Sequence, residues 1–361
     1  MKLAILSLDG HNNYGNRLQN YALNNYLSQY GSSQSLWWSG EYELFAKKNL
    51  SIKDEVKLLL NYKDFRKKII YNNRIDSIRE YRIKKFSDKY INTRIVNPNK
   101  LDLNGEYDYF IVGSDQVWNP LWWNKEIENL MFLNFTTPAK KIAYAASIGI
   151  SKLPLKYELV FSKNLSNFEH ISVREDSAAD IIEKLTGRKV PILLDPTLLI
   201  HAEQWESIER KPEWYQGNEY ILTYFLGEVP ENITKFANQN KYQLINLMSP
   251  DNLDLYSSSV EEFLYLIHHA KLFCTDSFHG CVFSIQFRTP FIVVDRQQNN
   301  TPDMFSRLET LLNRFRLTDQ YCNFKSSFDF DNYIHPDFSY VEEVLKFERS
   351  RSNEFFSKII Y

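Results

Sequence analysis

At 361 residues the chain is longer than one hydrophobic core ordinarily serves, so two domains are expected. A net charge of −2 excludes a broad electrostatic pull towards nucleic acid, and no apolar run approaches the roughly 18 residues of a membrane span. Three cysteines (Cys274, Cys281 and Cys322) are too few for a disulfide framework and fit a reducing, cytoplasmic setting, while the apolar run that stops at Asp9 is too short for a secretory leader.

In chain order, "KLAILSL" reads as a buried strand and "DGHNNYG" as a loop. "NRLQNYALNNYLSQYG" then reads as a helix stopped by Gly31, with Leu18, Tyr21, Ala22 and Leu27 on one face. Between Lys47 and Arg94 the period is helical and strand signals are missing. This insertion carries Arg66, Lys67, Lys68, Arg74, Arg79, Arg82, Lys84 and Lys85. Its charges fit either a solvated helical face or a cationic surface set against anionic lipid or a lipid diphosphate. "YDYFIVG" and "KKIAYAAS" are further strands, and a boundary is expected near Leu153–Phe168, giving domains 1–160 and 161–338. "HISVRE" opens the second series, which alternates short apolar runs ("VPILLD", "EYILTYFLG", "YQLINLM", "KLFCT", "PFIVVD") with helical stretches. The last stretch, 339–358, is an amphipathic helix expected to pack back on the first domain. Such alternation builds parallel sheets, so the fold class is α/β, with two similar halves meeting at a cleft. Neither GxGxxG nor GxxxxGK[ST] occurs, which argues against an NAD enzyme and a P-loop kinase.

"CTDSFHGCVFSIQF" places His279 between two cysteines. A metal site there fails on geometry: His279 and Cys281 are two apart and point to opposite sides of a helix, and Cys274 lies back in the strand. Cys281 points towards the sheet. Asp276 or Ser277 stands where a helix N-cap belongs, so His279 falls in the first helical turn at the carboxyl end of a parallel strand. Open α/β sheets bind ligands there, and helix N-termini favour anions. His279 is either a packed structural histidine or an anion-facing group able to donate a proton.

In "YFIVGSDQVWNP", Gly113 allows a sharp exit from the strand. Asp115 there can orient or deprotonate a hydroxyl, with Gln116 and Trp118 beside it for a sugar, or the residues merely form an Asx-turn. Arg174 in "ISVRED" offers a planar fork for carboxylate or phosphate, or an ion pair with Glu175 or Asp176. Gly10, Gly15, Asn16 and Arg17 supply a strand-to-helix loop that fits a polar ligand or a plain N-cap. Asp195, before Pro196, reads mainly as a structural turn.

Taken together and in this order, "NNYGNRLQNYAL", "YDYFIVGSDQVWNP", "IAYAASIG", "ISVRED", "LLDPTLL", "TDSFHGCVFSIQF", "PFIVVDR" and "SRLETLL" resemble the polysaccharide pyruvyl transferase family, from Asn12 to Leu312. The resemblance implies two Rossmann-like domains facing a cleft, GT-B-like, with the basic helical stretch as an insertion in the first. It implies transfer of the enolpyruvyl unit of phosphoenolpyruvate to a hexose of a polysaccharide precursor, as in exopolysaccharide or capsule synthesis, giving a cyclic pyruvate ketal. No cofactor or metal is implied beyond that donor. The acceptor would be a saccharide, perhaps on a polyprenyl diphosphate, handled in the cytoplasm at the inner face of the membrane.

By the same resemblance His279 would protonate the donor's methylene and Asp115 would face the acceptor hydroxyl. Arg174, Asp276, Ser277, Gly280, Arg296 and Arg307 would bind the donor from the second domain. Asn12, Gly15, Asn16, Arg17, Gln116 and Trp118 would bind the acceptor. Several members carry an arginine where Ser277 stands, and Arg296 or Arg307 is then expected to supply that charge. A GT-B glycosyltransferase using a sugar nucleotide is the second reading, although no acidic ribose-binding residue marks one. A non-catalytic saccharide-binding protein of the same fold is the third.

Overall fold

The computed structural model describes residues 1–38, 63–97, 103, 105–122, 125–296, 306–323 and 330–360. The first unit contains β1 (Lys2–Leu6), α1 (Tyr14–Leu27), β2 (Ser32–Trp38), α2 (Lys63–Tyr90), β3 (Thr93–Val96), β4 (Tyr109–Val112), α3 (Lys125–Met131), β5 (Lys141–Ala146), α4 (Leu155–Leu165), β6 (His170–Val173) and α5 (Asp176–Thr186). Its strands form one parallel sheet in the order β3-β2-β1-β4-β5-β6. The second unit follows as α6 (Ala202–Glu206), β7 (Tyr220–Tyr224), α7 (Glu231–Gln239), β8 (Gln243–Asn246), α8 (Leu253–Tyr256), α9 (Val260–His268), β9 (Leu272–Thr275), α10 (Phe278–Phe287), β10 (Phe291–Val294), α11 (Ser306–Phe315), β11 (Tyr321–Cys322) and α12 (Val341–Ser357). Its sheet is also parallel, in the order β11-β10-β9-β7-β8.

The central strands are apolar along their whole length because helices cover both faces of each sheet. Leu3, Ala4, Ile5 and Leu6 of β1 and all six residues of β5 are buried. Lys141 at the start of β5 keeps its charge solvated internally by donating to the Phe132 carbonyl at 3.2 Å. In both sheets the strand order reverses beside the first strand, between β1 and β4 and between β7 and β9. Each reversal opens a crevice at the carboxyl ends, the usual ligand position in such folds. The two Rossmann-like units meet at these crevices, which gives the GT-B-like arrangement.

Several local expectations need correction. The strand of "HISVRE" is β6, and it pairs with β5 in the first sheet, so Arg174 is carried by the first unit and that unit runs well past residue 161. A strand–helix pattern shows that a strand exists but not which sheet accepts it. α1 ends at Leu27, before the turn that leads to Gly31. β2 and β3 flank the insertion as strands that its composition did not announce.

Residues 47–62, and the side chains of Arg66, Lys67 and Lys68, lie outside the described residues. Along α2, Ile75, Ile83 and Phe86 are buried and Arg74, Lys84 and Lys85 are exposed. Arg79 and Arg82 belong to neither a solvated nor a lipid-facing surface. Arg79 is buried between the rings of Tyr14 and Tyr256, 4.6 and 5.0 Å from their centroids, and donates to the Tyr256 carbonyl and to that of Leu247 at 3.4 Å. Arg82 donates to the Ser257 carbonyl at 3.2 Å. These arginines tie α2 to the second unit.

α12 returns to the first unit. Tyr30 Oη donates to Asn353 at 2.8 Å, Tyr144 Oη meets Ser352 at 3.1 Å, and the Phe356 ring packs 4.7 Å from that of Tyr144. Among the described residues no helix is long and apolar enough to cross a membrane.

Candidate functional site

The residues that close on one another at the two crevices come from loops far apart in sequence. After β9, Thr275 and Asp276 lead to Ser277, whose hydroxyl accepts from the Gly280 amide at 3.4 Å and caps α10. Asp276 takes no part in that cap. Its oxygens accept from the Leu226 and Gly227 amides at 2.8 Å each and from Arg296 Nε at 2.9 Å. Arg296 is therefore engaged with Asp276 rather than aimed at His279. Gly280 is a packing residue: a Cβ there would lie 2.9 Å from Thr275 Oγ1 and 3.0 Å from the Phe273 ring. Cys274 and Cys281 are wholly buried, and burial pushes the Cys281 thiol well above its ordinary range, which leaves it packed and inert.

His279, 6% exposed, projects from the first turn of α10 into the first unit. Its Nδ1 edge faces the start of α1, where a Cβ on Gly15 would lie only 2.1 Å away. Glycine at position 15 is what lets the imidazole fit. Its Nε2 lies 3.6 Å from Asp195 Oδ2, an electrostatic contact longer than a hydrogen bond.

Asp195 is the centre of the cluster, and the sequence reading undervalued it. One oxygen makes the turn that the Asp-Pro pair announces: Oδ1 accepts from the Thr197 amide at 3.0 Å and its hydroxyl at 2.6 Å. The other oxygen, Oδ2, belongs to the site, meeting Arg174 Nη1 at 2.6 Å and Ser114 Oγ at 3.1 Å besides His279. Burial raises the energy of this carboxylate, but His279, Arg174 and Thr197 outweigh that and hold its pKa far below the usual carboxylate range.

Arg174 Nη2 donates to Asp115 Oδ1 at 3.2 Å, so the guanidinium bridges two carboxylates from different loops. Burial opposes its charge, yet Asp195, Asp115 and Glu175 raise its pKa above the ordinary value, and it stays cationic. The Phe278 ring lies 4.2 Å from Arg174 and 5.8 Å from Arg307. Arg307, from α11, is buried, which lowers its pKa to about 10, and its Nη atoms lie 3.0 and 3.3 Å from the side-chain amide of Gln116. Arg174, Arg307, Arg314, Asp195 and Phe278 line a cavity of about 10 Å³, room for one water. The Nε atoms of Arg174 and Arg307 have no hydrogen-bond partner among the described residues.

Gly113 turns the chain out of β4 at φ +126, and a Cβ there would meet the Tyr144 carbonyl oxygen at 2.1 Å. The Ser114 amide then donates to Gln19 at 3.1 Å, locking this loop onto α1. Asp115, 5% exposed, follows at φ +61. Asn13, not Asn16, caps α1, accepting from the Gly15 amide at 2.8 Å. Asn12 is exposed and Asn16 is buried.

Arg17 is wholly buried, with the Trp37 ring 5.2 Å from its guanidinium. It donates to the Leu8 carbonyl, while Nε and Nη1 have no partner among the described residues. Burial, partly offset by Asp9 and Asp115, pulls its pKa down to about 10, so it remains charged near pH 7. In the same loop burial pushes Asp9 up to about 6 and, with Arg17, brings His11 down to about 4. Trp118 lies elsewhere. It is fully buried, stacks on Phe132 at 5.8 Å and donates to the Met131 carbonyl at 3.0 Å, so it is core rather than a sugar platform.

The structure thus gathers His279, Asp195, Arg174, Asp115, Ser114 and Arg307 at one place, with Gly15 and Arg17 bordering it. It leaves Asn12 exposed in the α1 entry loop and turns Trp118, Gly280 and Asp276 to structural work. The sequence could have flagged Asp195 only through its position after an apolar run, since every site partner is distant in the chain. Chemically the cluster offers an imidazole oriented by an ionised carboxylate, two buried guanidinium groups and a second carboxylate, in a place shielded from water.

The sequence profile of the polysaccharide pyruvyl transferase family matches residues 13–298. No curated protein matches the sequence. Among solved structures, one described as the glycotransferase of kitacinnamycin aligns at 12% identity and TM-score 0.46, covering 100% of this chain and 99% of that one. The UDP-GlcNAc 2-epimerase from Neisseria meningitidis bound to UDP-GlcNAc aligns at 11% identity and TM-score 0.44, covering 98% and 94%. At that level neither carries substrate or chemistry over to this chain.

Proposed function

Because the chain belongs to the polysaccharide pyruvyl transferase family, we propose that it moves the enolpyruvyl unit of phosphoenolpyruvate onto two hydroxyls of a hexose in a polysaccharide precursor. The observation that carries this reading is the approach of His279, from the second sheet, to the buried Arg174–Asp195 pair of the first unit. An acid must meet the donor's methylene while cations hold its carboxylate and phosphate, and these are the groups assembled there.

His279 donates a proton to the methylene carbon, which becomes the methyl group. The adjoining carbon gains oxocarbenium character, and a first sugar hydroxyl adds to it with loss of its proton. A second hydroxyl then forms the other C–O bond, its proton passing to the departing phosphate as the C–O bond to phosphate breaks. The products are the cyclic ketal and inorganic phosphate. Asp195 stays ionised throughout and orients the imidazole. Arg174 and Arg307 hold the anionic donor, and Arg307 supplies the charge that Ser277 lacks. Asp115 orients the attacking hydroxyl. Gly15 and Arg17, at the start of α1, face the acceptor side.

The test is phosphate release from phosphoenolpyruvate by the purified protein, with and without hexose-containing acceptors. Release that depends on the acceptor, with a ketal in the product, supports the reading. Turnover of a sugar nucleotide with no use of phosphoenolpyruvate overturns it in favour of a glycosyltransferase.

A further inference from the structure

A second cluster of chemistry-bearing side chains lies at the opposite end of the second sheet. β9 carries His279 beyond its carboxyl end, and α9 enters β9 at its amino end through Ala270 and Lys271. There His268 closes α9, and His269 leaves the helical conformation as its C-cap, at φ −100 and ψ 7. Adjacent residues on a continuing helix diverge by about 100°. The break lets both imidazoles reach one carboxylate, that of Glu209 in the loop after α6. His268 Nδ1 lies 2.9 Å from Glu209 Oε2 and His269 Nε2 lies 3.1 Å from Oε1. One ligand-competent atom from each of the three residues lies within 4.8 Å of the other two.

The rings are held from behind. His268 stacks on Phe287 at 4.6 Å and 17°, and His269 packs on Tyr265 at 4.2 Å. Glu209 is 13% exposed, so the carboxylate is largely withdrawn from water, while His269 at 41% leaves one side open.

We propose that Glu209, His268 and His269 bind a divalent transition-metal ion of zinc's class, with water completing the coordination. Two imidazoles and a carboxylate with an open side are a zinc donor set, with bonds of about 2.0–2.2 Å. A tetrahedral ion with such bonds keeps neighbouring ligand atoms about 3.3 Å apart, so the two short contacts open by a few tenths of an ångström and the two histidine nitrogens, within 4.8 Å of each other, close towards the same spacing. The ion joins the loop after α6 to the end of α9, and its work is to brace the second unit. The inference does not depend on the proposed transferase activity.

The test uses the full chain, stripped with chelator and titrated with Zn²⁺, then with Co²⁺. The expected result is one Zn²⁺ per chain at micromolar concentration and a Tm that rises with the logarithm of free zinc. Co²⁺ should give the visible absorption of a four-coordinate nitrogen and oxygen site. His268→Gln combined with His269→Gln should lower zinc affinity about 100-fold. His269→Gln alone, at the more exposed position, should move it in the same direction in a protein whose circular dichroism is unchanged. His279→Gln should bind zinc as the native chain does, which separates this site from the cluster at the carboxyl ends. No stoichiometric uptake, or uptake unchanged in the His268 and His269 variants, overturns the proposal.

Discussion

The two crevices at the carboxyl ends of the sheets are built alike but equipped differently. At the β7/β9 crevice the polar groups are satisfied locally: Asp276 is saturated by two amides and Arg296, and Ser277 caps α10. His279 is the exception, with Nε2 within ion-pair range of Asp195 but lacking a hydrogen bond. The β1/β4 side is the reverse. Arg17 is buried with two nitrogens unpartnered among the described residues, and burial pushes Asp9 up to about 6 and pulls His11 down to about 4. A satisfied loop holds one group still, whereas a loop with buried unpartnered charge is poised to gain from a ligand. On the proposed reading the second unit contributes a fixed acid, and the first, which also carries Arg174, contributes much of the binding charge.

The largest effect that would break this division of labour is at the acid. His279→Gln should lower acceptor-dependent phosphate release by about 100- to 10,000-fold with little change in Tm. A large Tm loss with retained turnover would make His279 a packing residue.

Asp195→Asn should come next, because it leaves Arg174 and His279 without their shared carboxylate. A cost of about 3–5 kcal/mol in denaturant unfolding is expected, with turnover falling as well. The native pKa of Asp195 is depressed, so its contribution is present above the unfolded value of 3.8 and is lost only as pH falls below that. The gap between native and variant should therefore be constant from pH 5 upward.

Gly15→Ala sharpens the comparison from the other side. The added Cβ would occupy a position 2.1 Å from His279 Nδ1, so the imidazole must move by about an ångström. The expected loss in kcat is about 10- to 100-fold, while zinc uptake at Glu209 stays unchanged.

The smallest effect on turnover is expected in the β1–α1 loop of the first crevice, where the readout is stability. Burial raises the Asp9 pKa from 3.8 to about 6, so its proton stabilises the native state below pH 4 and that stability is lost as pH rises through 6. Asp9→Asn should be more stable than the native chain by up to about 3 kcal/mol at pH 8 and no more stable at pH 3.5. An equal difference at both pH values would contradict the assigned burial.

The parts of the fold that could be read in the sequence are those whose signal is local. β1, β4, β5, β7, β9 and β10 are apolar runs because both their faces are covered, and His279 stood out at a capped helix start after one of them. β2 was silent because "SSQSLWW" buries Ser33 and Ser35 against Asn24 and Asn20 rather than presenting apolar residues. β6 was visible as a strand, but only pairing with β5 assigns it to the first sheet.

Asp195 explains best why the site was half legible. Its Oδ1 obeys the local turn rule through Thr197, two residues on, and that is all the sequence announces. Its Oδ2 meets Ser114 and Arg174, 81 and 21 residues away, and those contacts exist only once the first sheet has brought the ends of β4 and β6 together. The basic insertion misled in the opposite sense, since composition cannot separate Arg79, stacked between two tyrosines, from the exposed Lys84.

The most direct test of the proton transfer is to run the reaction in D₂O with phosphoenolpyruvate and a hexose acceptor, and to examine the ketal methyl group by NMR. The account predicts one deuterium in that methyl group, delivered through His279, and ketal formation slowed at least about 100-fold in the His279→Gln protein. Ketal formation by His279→Gln at the native rate, or a product that retains the carbon–carbon double bond, would contradict it.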